Sequence, residues 1–497
     1  MVTMPRRSDG VRNAYRDRER AQWAPFQLSD QPNGAPVRPA LDSGDEFGVP
    51  EGGPRYRAYT LSNFREIPQV KEHLSDDQIF AIDVVARVLP FKTNSYVVDQ
   101  LIDWGNIPDD PIFVLNFPQR EMLEASHFEA MAELVRRDAP KAEIDELANR
   151  IRRTLNPHPA GQMEHNVPVH NGTKLTGMQH KYRETVLFFP SNGQTCHAYC
   201  TFCFRWPQFV GMDELKFAMR ETELLVEYVR DHPEVTDVLF TGGDPMIMRT
   251  KNLERYIRPL LEANLPNLHT IRIGTKALGY WPYRFTTDED AGEVLDLFRE
   301  VKAAGLDLAI MAHFNHGAEL KTQAVEEAIG RLKEAGAQIR TQSPLMRRIN
   351  DDPAVWSQMW RRQVDLGCIP YYMFIARDTG AQDYFSVPLV RAWEIFREAY
   401  ASVSGICRTV RGPSMSADPG KVEVLGVTEV MRRKVLMLRM IQGRNPDWAM
   451  RPFFAEYDDE AVWLSDLVPA FGEERFFWEQ QLQEMYAADM RELAAVS

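Results

Sequence analysis

Cysteine is scarce in this chain, with five in 497 residues. That is too few for a disulfide framework, and three of the five fall between positions 196 and 203, which points to a reducing cytoplasm and a metal or redox site. Long apolar runs are also missing. None approaches the roughly 20 residues needed to span a bilayer. The N-terminal arginines are followed by no apolar h-region, and Asp9, Asp17 and Glu19 speak against a mitochondrial presequence. Basic charge is in deficit, with 58 Lys and Arg against 71 Asp and Glu for a formal charge of −13. This argues against broad binding to nucleic acid or anionic lipid. No repeat of fixed period occurs. What is present is 44% hydrophobic residues, 10% of the chain aromatic, enough to fill a large interior and rule out global disorder. The expectation is a soluble cytoplasmic enzyme of two or three structural units, with no nucleic-acid or membrane partner and homo-oligomerisation left open.

The rhythm of the sequence divides it into four. Residues 1–55, rich in Arg, Asp, Pro and Gly, read as a disordered or loosely attached tail. Residues 56–180 read as a helical layer or lid, with Ser75-Asp76-Asp77-Gln78 as a helix start. Residues 181–425 alternate short β-rich runs with amphipathic helical stretches. Strands are predicted at 185–190, 237–241, 270–275, 308–314, 338–342 and 369–375, with helices at 215–230, 253–263, 291–304, 324–335 and 355–366. Six β/α units without a hairpin signal predict an α/β fold with a parallel sheet, either open and doubly wound or a partial barrel. Ligands of such sheets bind at the C-terminal edge of the strands. Residues 426–497 read as a helical extension whose large aromatics serve packing.

The chemistry centres on Cys196-His197-Ala198-Tyr199-Cys200-Thr201-Phe202-Cys203. Three thiolates at spacings of three and two can wrap one face of an iron–sulfur cube and leave one iron open to a small molecule. A structural zinc ion is the plainer alternative, but it wants a fourth ligand. His197 is badly placed for that, and Cys368 and Cys407 are isolated. After the second predicted strand comes Thr241-Gly242-Gly243-Asp244-Pro245, a glycine turn with a carboxylate that can accept from an ammonium group. His313-Phe314-Asn315-His316 and Thr341-Gln342-Ser343 end two later strands. Two histidines without a third ligand favour hydrogen bonding over metal binding.

With Phe202 as its aromatic, the cysteine motif resembles the C-x-x-x-C-x-aromatic-C signature of the radical S-adenosylmethionine superfamily. The Gly-Gly-Asp turn, Arg272-Ile273-Gly274-Thr275, His313, Gln342 and Asp109-Asp110-Pro111 narrow the resemblance to the lysine 2,3-aminomutase family over roughly residues 60 to 425. The resemblance implies a partial (β/α)6 radical-SAM barrel and a 4Fe-4S cluster on Cys196, Cys200 and Cys203. It implies S-adenosyl-L-methionine against Phe202, Gly242, Gly243, Asp244, His313 and Gln342, and a reducing electron donor. Reductive cleavage of that cofactor would give a 5′-deoxyadenosyl radical, and the reaction would be an isomerisation that moves an amino group from Cα to Cβ of an amino acid. Arg205 would clamp the substrate carboxylate, a task suited to a planar guanidinium, with an ordinary ion pair as its alternative role. Lys421, closing Ser416-Ala417-Asp418-Pro419-Gly420-Lys421, would hold pyridoxal 5′-phosphate through a Schiff base.

The sequence departs from the family pattern in informative places. The glycines before Lys421 are mostly replaced, the phosphate-binding arginine falls on Thr185 with Arg183 out of register, and extra zinc-binding cysteines are absent. The two aspartates that hold a distal ammonium in lysine-specific members fall on Arg377 and Ser414. Arginine would repel that ammonium and attract a carboxylate, so an acidic amino acid such as glutamate stands beside lysine as candidate substrate. A radical enzyme that has lost pyridoxal phosphate is the alternative function, and a non-catalytic zinc-binding protein a more distant one.

The spacing of the three thiols predicts that each is needed. Reconstituted protein should hold iron and sulfide at about four each per chain, and Cys196→Ala, Cys200→Ala and Cys203→Ala should each lose the cluster and reductive cleavage of S-adenosyl-L-methionine. Full cleavage by any one variant would refute the assignment.

Overall fold

The computed structural model describes residues 54–157, 165–211 and 217–496. The tail expected at 1–55 lies outside them except for its last two positions. Residues from Tyr56 onward form one compact unit.

The first part of this unit is mostly helical, as its periodicity predicts, and its helices begin where the capping chemistry says they should. The Ser75 hydroxyl accepts from Gln78 N–H at 3.3 Å and opens the helix Asp76–Ala86. Asp110 accepts from Phe113 N–H at 2.7 Å and opens Pro111–Asn116. Both satisfy donors that a first helical turn leaves free. Two short ribbons were not legible. Strand β1 (Ala58–Thr60) pairs with β2 (Lys92–Asn94), and β3 (Val169–His170) pairs with β4 (Thr173–Lys174).

Eleven strands make the central sheet. Strands β6 (Thr185–Phe188), β7 (Asp237–Phe240), β8 (Thr270–Thr275), β9 (Asp307–His313), β10 (Gln338–Leu345) and β11 (Ile369–Ile375) run parallel in chain order. These are the six predicted strands, two of them with identical bounds. Between them lie helices Thr222–Asp231, Thr250–Glu262, Ala291–Ala303, Gln323–Glu334 and Pro353–Asp365. The helices cover one face, where Val238, Phe240, Ile271, Ile273 and Ile310 are buried with Leu253, Val294 and Val325.

The sheet is larger than six strands. Strand β5 (Met178–Tyr182), expected in the helical layer, pairs antiparallel with β6. Strand β12 (Arg411–Ser416) adds a seventh parallel strand beside β11. The helical extension expected from 426 is overturned. Strand β13 (Gly420–Val430), β14 (Arg433–Gly443) and β15 (Pro452–Glu456) form an antiparallel meander, and a long helix, Glu479–Val496, comes only at the end. The β13–β14 turn is the reason this was missed. Met431 and Arg432 take positive φ values of 51° and 61°, where Asn-Gly or Asp-Gly would have announced a hairpin. The expected aromatics do pack, with Trp448, Phe453, Phe476 and Trp478 buried in the core.

The sheet curls until its β5 edge meets the start of β13. Seven strands separate β5 from β13 in the sheet order, yet Lys421 Nζ on β13 lies 5.2 Å from the ring centre of Tyr182 on β5. Lys181 Nζ donates to the carbonyl of Ala417. Among the described residues no helix is long and apolar enough to cross a membrane.

The helical layer is a clamp on the cysteine segment. Lys92 O accepts from Tyr199 N–H at 2.7 Å, and Leu115 O from Thr201 N–H at 2.9 Å. Lys92 Nζ donates to Cys196 O at 2.7 Å, and buried Asn94 Nδ2 donates to His197 O at 3.2 Å and Tyr280 O at 3.0 Å. Replacing Asn94 by the isosteric leucine strands these buried acceptors. Asn94→Leu should therefore lose roughly 2–3 kcal/mol in denaturant unfolding and retain less iron, whereas an unchanged midpoint and full iron content would show that the clamp is dispensable.

Candidate active site

Cys196, Cys200 and Cys203 are free, half-buried thiols. Burial, reinforced by the other thiols and by Asp244, pushes Cys196 well up. Burial raises Cys200 to about 12 and Cys203 to about 11. The trio therefore shares one poorly solvated space and repels itself when ionised, an arrangement that a cationic group would stabilise. Among the described residues no three His, Cys, Asp or Glu side chains converge on the volume of one ion. Cys200 Sγ donates toward Tyr280 Oη at 3.5 Å. Phe202 is half-buried and meets Phe385 edge-on at 6.4 Å.

The glycine turn after β7 supports this segment directly. A Cβ on Gly243 would come within 2.5 Å of Thr195 N and O, and one on Gly242, at φ 144°, within 2.4 Å of Gln194 Nε2. Gly243 is required by contact with the main chain of the two residues that precede Cys196, whereas Gly242 is favoured by its positive φ. Asp244 N–H donates to Gly193 O and Thr195 O at 3.1 and 2.8 Å. Its carboxylate accepts from Thr275 Oγ1 at 2.7 Å, Lys276 N–H at 2.8 Å and Met246 N–H at 2.9 Å. Burial, opposed by these donors, sets its pKa at about 6. Much of the carboxylate expected to receive an ammonium is thus engaged in tying β7 to β8.

His313 and Gln342 are cross-strand partners on β9 and β10, with His313 Nε2 and Gln342 Nε2 2.9 Å apart. Desolvation, with Lys276 nearby, lowers His313 to about 3, so the imidazole is neutral and accepts from the Gln342 amide. His316 instead accepts from Ala318 N–H at 3.3 Å and caps a turn. Sequence reasoning missed Lys276 and Glu319, which form a buried ion pair at the same edge. No local motif announces them.

Arg205 and Arg377 meet on one aromatic ring. The buried Arg205 guanidinium lies 3.9 Å from the Phe189 centroid and 5.7 Å from that of Phe204. Arg377 lies 4.7 Å from Phe204 and donates to Ser416 O at 2.9 Å. Among the described residues neither has an ion-pair partner, so the ordinary ion pair considered for Arg205 is not found. Desolvation first, and Arg377 as well, lower Arg205 to about 9. Arg377 is lowered by desolvation and raised by Asp378. Asp378 itself is engaged on the layer side, where Asn156 Nδ2 donates to its carbonyl at 2.6 Å and its carboxylate at 3.4 Å. Ser414 is fully buried and neutral.

Lys421 stands on the same interior face. Its Nζ lies 4.8 Å from the Tyr372 ring centre and donates to Gln442 Oε1 at 3.3 Å. Although part of its side chain stays accessible, desolvation, then Arg272 and Arg411, lower its pKa to about 7. Tyr182 and Tyr372 flank it, and cations crowd it, a setting that fits a planar anionic cofactor on an uncharged amine. A separate cavity of about 460 Å³, lined by Trp393, Phe396 and Tyr400, borders none of these residues.

No family model matches the chain. A protein of Aquifex aeolicus (strain VF5) named "Putative L-lysine 2,3-aminomutase" is 29% identical over 395 residues, 80% of this chain and 92% of its own length. L-lysine 2,3-aminomutase of Clostridium subterminale is 28% identical over 242 residues, 48% of this chain and 55% of that protein. The enzyme of the same name from Haemophilus influenzae is 26% identical over 251 residues, 50% of this chain and 70% of its own length. These similarities place the chain with the lysine 2,3-aminomutase-like proteins.

The environment of Lys421 predicts a pH signature in the cofactor-free protein. A lysine whose folded pKa is about 7 is largely neutral at pH 8, where an ordinary lysine is protonated. Competitive reductive methylation read by peptide mass should show Lys421 reactivity rising with a midpoint near 7, and a midpoint near 10 would show a solvated ammonium. By linkage, the depressed pKa contributes stability that is present above the unfolded value and is lost as pH falls through about 7.

Proposed function

We propose that this chain is a radical S-adenosylmethionine aminomutase that moves the amino group of a dicarboxylic amino acid, such as glutamate, from Cα to Cβ with the help of pyridoxal 5′-phosphate. The curled sheet is read as the partial (β/α)6 radical-SAM barrel, extended by β5 and by the β12–β15 meander. The N-terminal tail, clamp layer and barrel are read as successive units of one enzyme. The observation that carries the proposal is the continuity of the site. Arg205, two residues beyond Cys203, and Arg377, just beyond the C-terminal end of β11, share the Phe204 ring, and Arg377 also lies close enough to Lys421 to lower its pKa.

When bound, a 4Fe-4S cluster with S-adenosyl-L-methionine supplies hydrogen-atom abstraction, and pyridoxal phosphate supplies a covalent hold on nitrogen during its shift. The chain does the rest. Cys196, Cys200 and Cys203 would hold the cluster. The Gly242-Gly243-Asp244 turn, Phe202, His313 and Gln342 would line the adjoining S-adenosyl-L-methionine site, with Asp244 fixing the turn. Neutral His313 offers hydrogen bonding without adding charge beside a sulfonium. Lys421, about half of it uncharged at neutral pH, is the nucleophilic amine. Arg205 would orient the substrate α-carboxylate and Arg377 its side-chain carboxylate, each as a planar fork. The clamp layer and the aromatic walls keep water away from the reacting centre.

Charge selects the substrate. A lysine ammonium about 4 Å from Arg377 would be repelled by on the order of 4 kcal/mol at an effective dielectric near 20, whereas a carboxylate gains a bidentate partner. With an external reductant, the wild type should turn over glutamate and leave lysine nearly untouched, and Arg377→Asp should abolish the glutamate reaction. Efficient use of lysine with no activity on acidic amino acids would overturn the substrate assignment.

A further inference from the structure

The position at which the family's phosphate-binding arginine was expected holds no cation. Thr185 is uncharged, and its Oγ1 is already engaged in donating to Asp237 Oδ2 at 3.0 Å. Arg183, out of register by two, is exposed and lies 3.8 Å from Glu184. Neither residue can seat the anionic end of a cofactor anchored on Lys421.

Two other arginines stand near that lysine with unused capacity. Arg272 on β8 directs Nη1 to Asp237 Oδ1 at 3.0 Å, while its Nε is buried without a partner. Arg411, at the start of β12, lies 4.2 Å from the ring centre of Tyr372 and 4.4 Å from that of Tyr371, and has no ion-pair partner among the described residues. Lys421 Nζ lies over the same Tyr372 ring at 4.8 Å. Arg272 and Arg411 thus bring two fixed positive charges close to Lys421, with Asp237 as the nearby counter-charge. Such an excess is costly unless an anion joins it.

We propose that Arg272 and Arg411 form the phosphate seat for the cofactor held by Lys421, replacing the arginine absent from position 185. This rests on the reading of Lys421 as the pyridoxal phosphate lysine. Stacking presets the Arg411 guanidinium, and the free Nε of Arg272 adds a second donor, which suits a dianion that accepts from several directions. The placement also separates two duties. Arg272 and Arg411 lie toward the strand starts, whereas Arg205 and Arg377 lie toward the strand ends beside the cysteine segment, so cofactor phosphate and substrate carboxylates are held by different arginine pairs.

The test compares pyridoxal 5′-phosphate with pyridoxal, which lacks the phosphate, as ligands of full-length protein, with binding read from visible absorbance and fluorescence. Wild type should strongly prefer the phosphorylated form. Arg411→Gln and Arg272→Gln should each reduce that preference about tenfold or more, the loss expected for a charged hydrogen bond, with pyridoxal affinity little changed. Arg183→Gln should keep the full preference. An Asp237→Asn/Arg272→Gln double variant separates loss of the seat from exposure of an unpaired carboxylate, and it should show the same loss. Retained preference in both single variants, or loss in Arg183→Gln, overturns the seat while leaving Lys421 in its role. Failure of borohydride to fix pyridoxal phosphate on Lys421 of the wild type overturns the underlying reading and the seat with it.

Discussion

The site depends on one close contact, the backbone of Gly243 against the main chain of Gln194 and Thr195. No side chain fits between them, so the first cysteine is placed by main chain touching main chain. Asp244 then fastens the turn to β8 through Thr275 and Lys276 and to the cysteine segment through its own N–H. From the opposite side, Lys92, Asn94 and Leu115 hold the backbone of residues 196–201. The three thiols are presented by a segment with little freedom of its own. A ligand set prepared in this way loses little entropy on binding, which is how a site can be both open and specific.

Electrostatics divides the interior into regions with different tasks. Around the cysteines, burial suppresses charge on the thiols and on the imidazole of His313. Around Lys421 desolvation acts together with Arg272, Arg411 and Arg377 to lower the pKa of the amine. An overall acidic chain thus keeps a cationic interior, a contrast that net charge alone does not disclose.

Much of this was legible from the sequence, and for identifiable reasons. The parallel strands announced themselves through short β-branched runs between amphipathic helices, and the thiols through their spacing. Arg377 could be singled out because its charge was wrong for the family's usual ligand. What escaped was set by pairing across long separations. Strand β5 ends in Lys181 and Tyr182, whose partners lie just after β12 and on β13, and the β13–β14 hairpin turns through Met431 and Arg432 rather than glycine. The aromatic residues near the C-terminus were recognised as core, but their period did not reveal that strands would carry them there. The excess cations at Arg272 and Arg411 were equally hidden, because each occupies an ordinary strand position and gains significance only beside Lys421.

The bond from Lys181 to the carbonyl of Ala417 spans 236 positions in the chain. During synthesis, the wall that carries Tyr182 is finished long before the residues that face it exist. The thiols emerge soon after that wall, with the clamp layer already made, whereas the pocket for the Lys421 end can close only when more than four-fifths of the polypeptide has been produced. Contacts of such long range are slow to form, and cofactor loading inherits their order. The cysteine segment can be organised early, and the surroundings of Lys421 stay open to solvent until the last strands have joined the sheet.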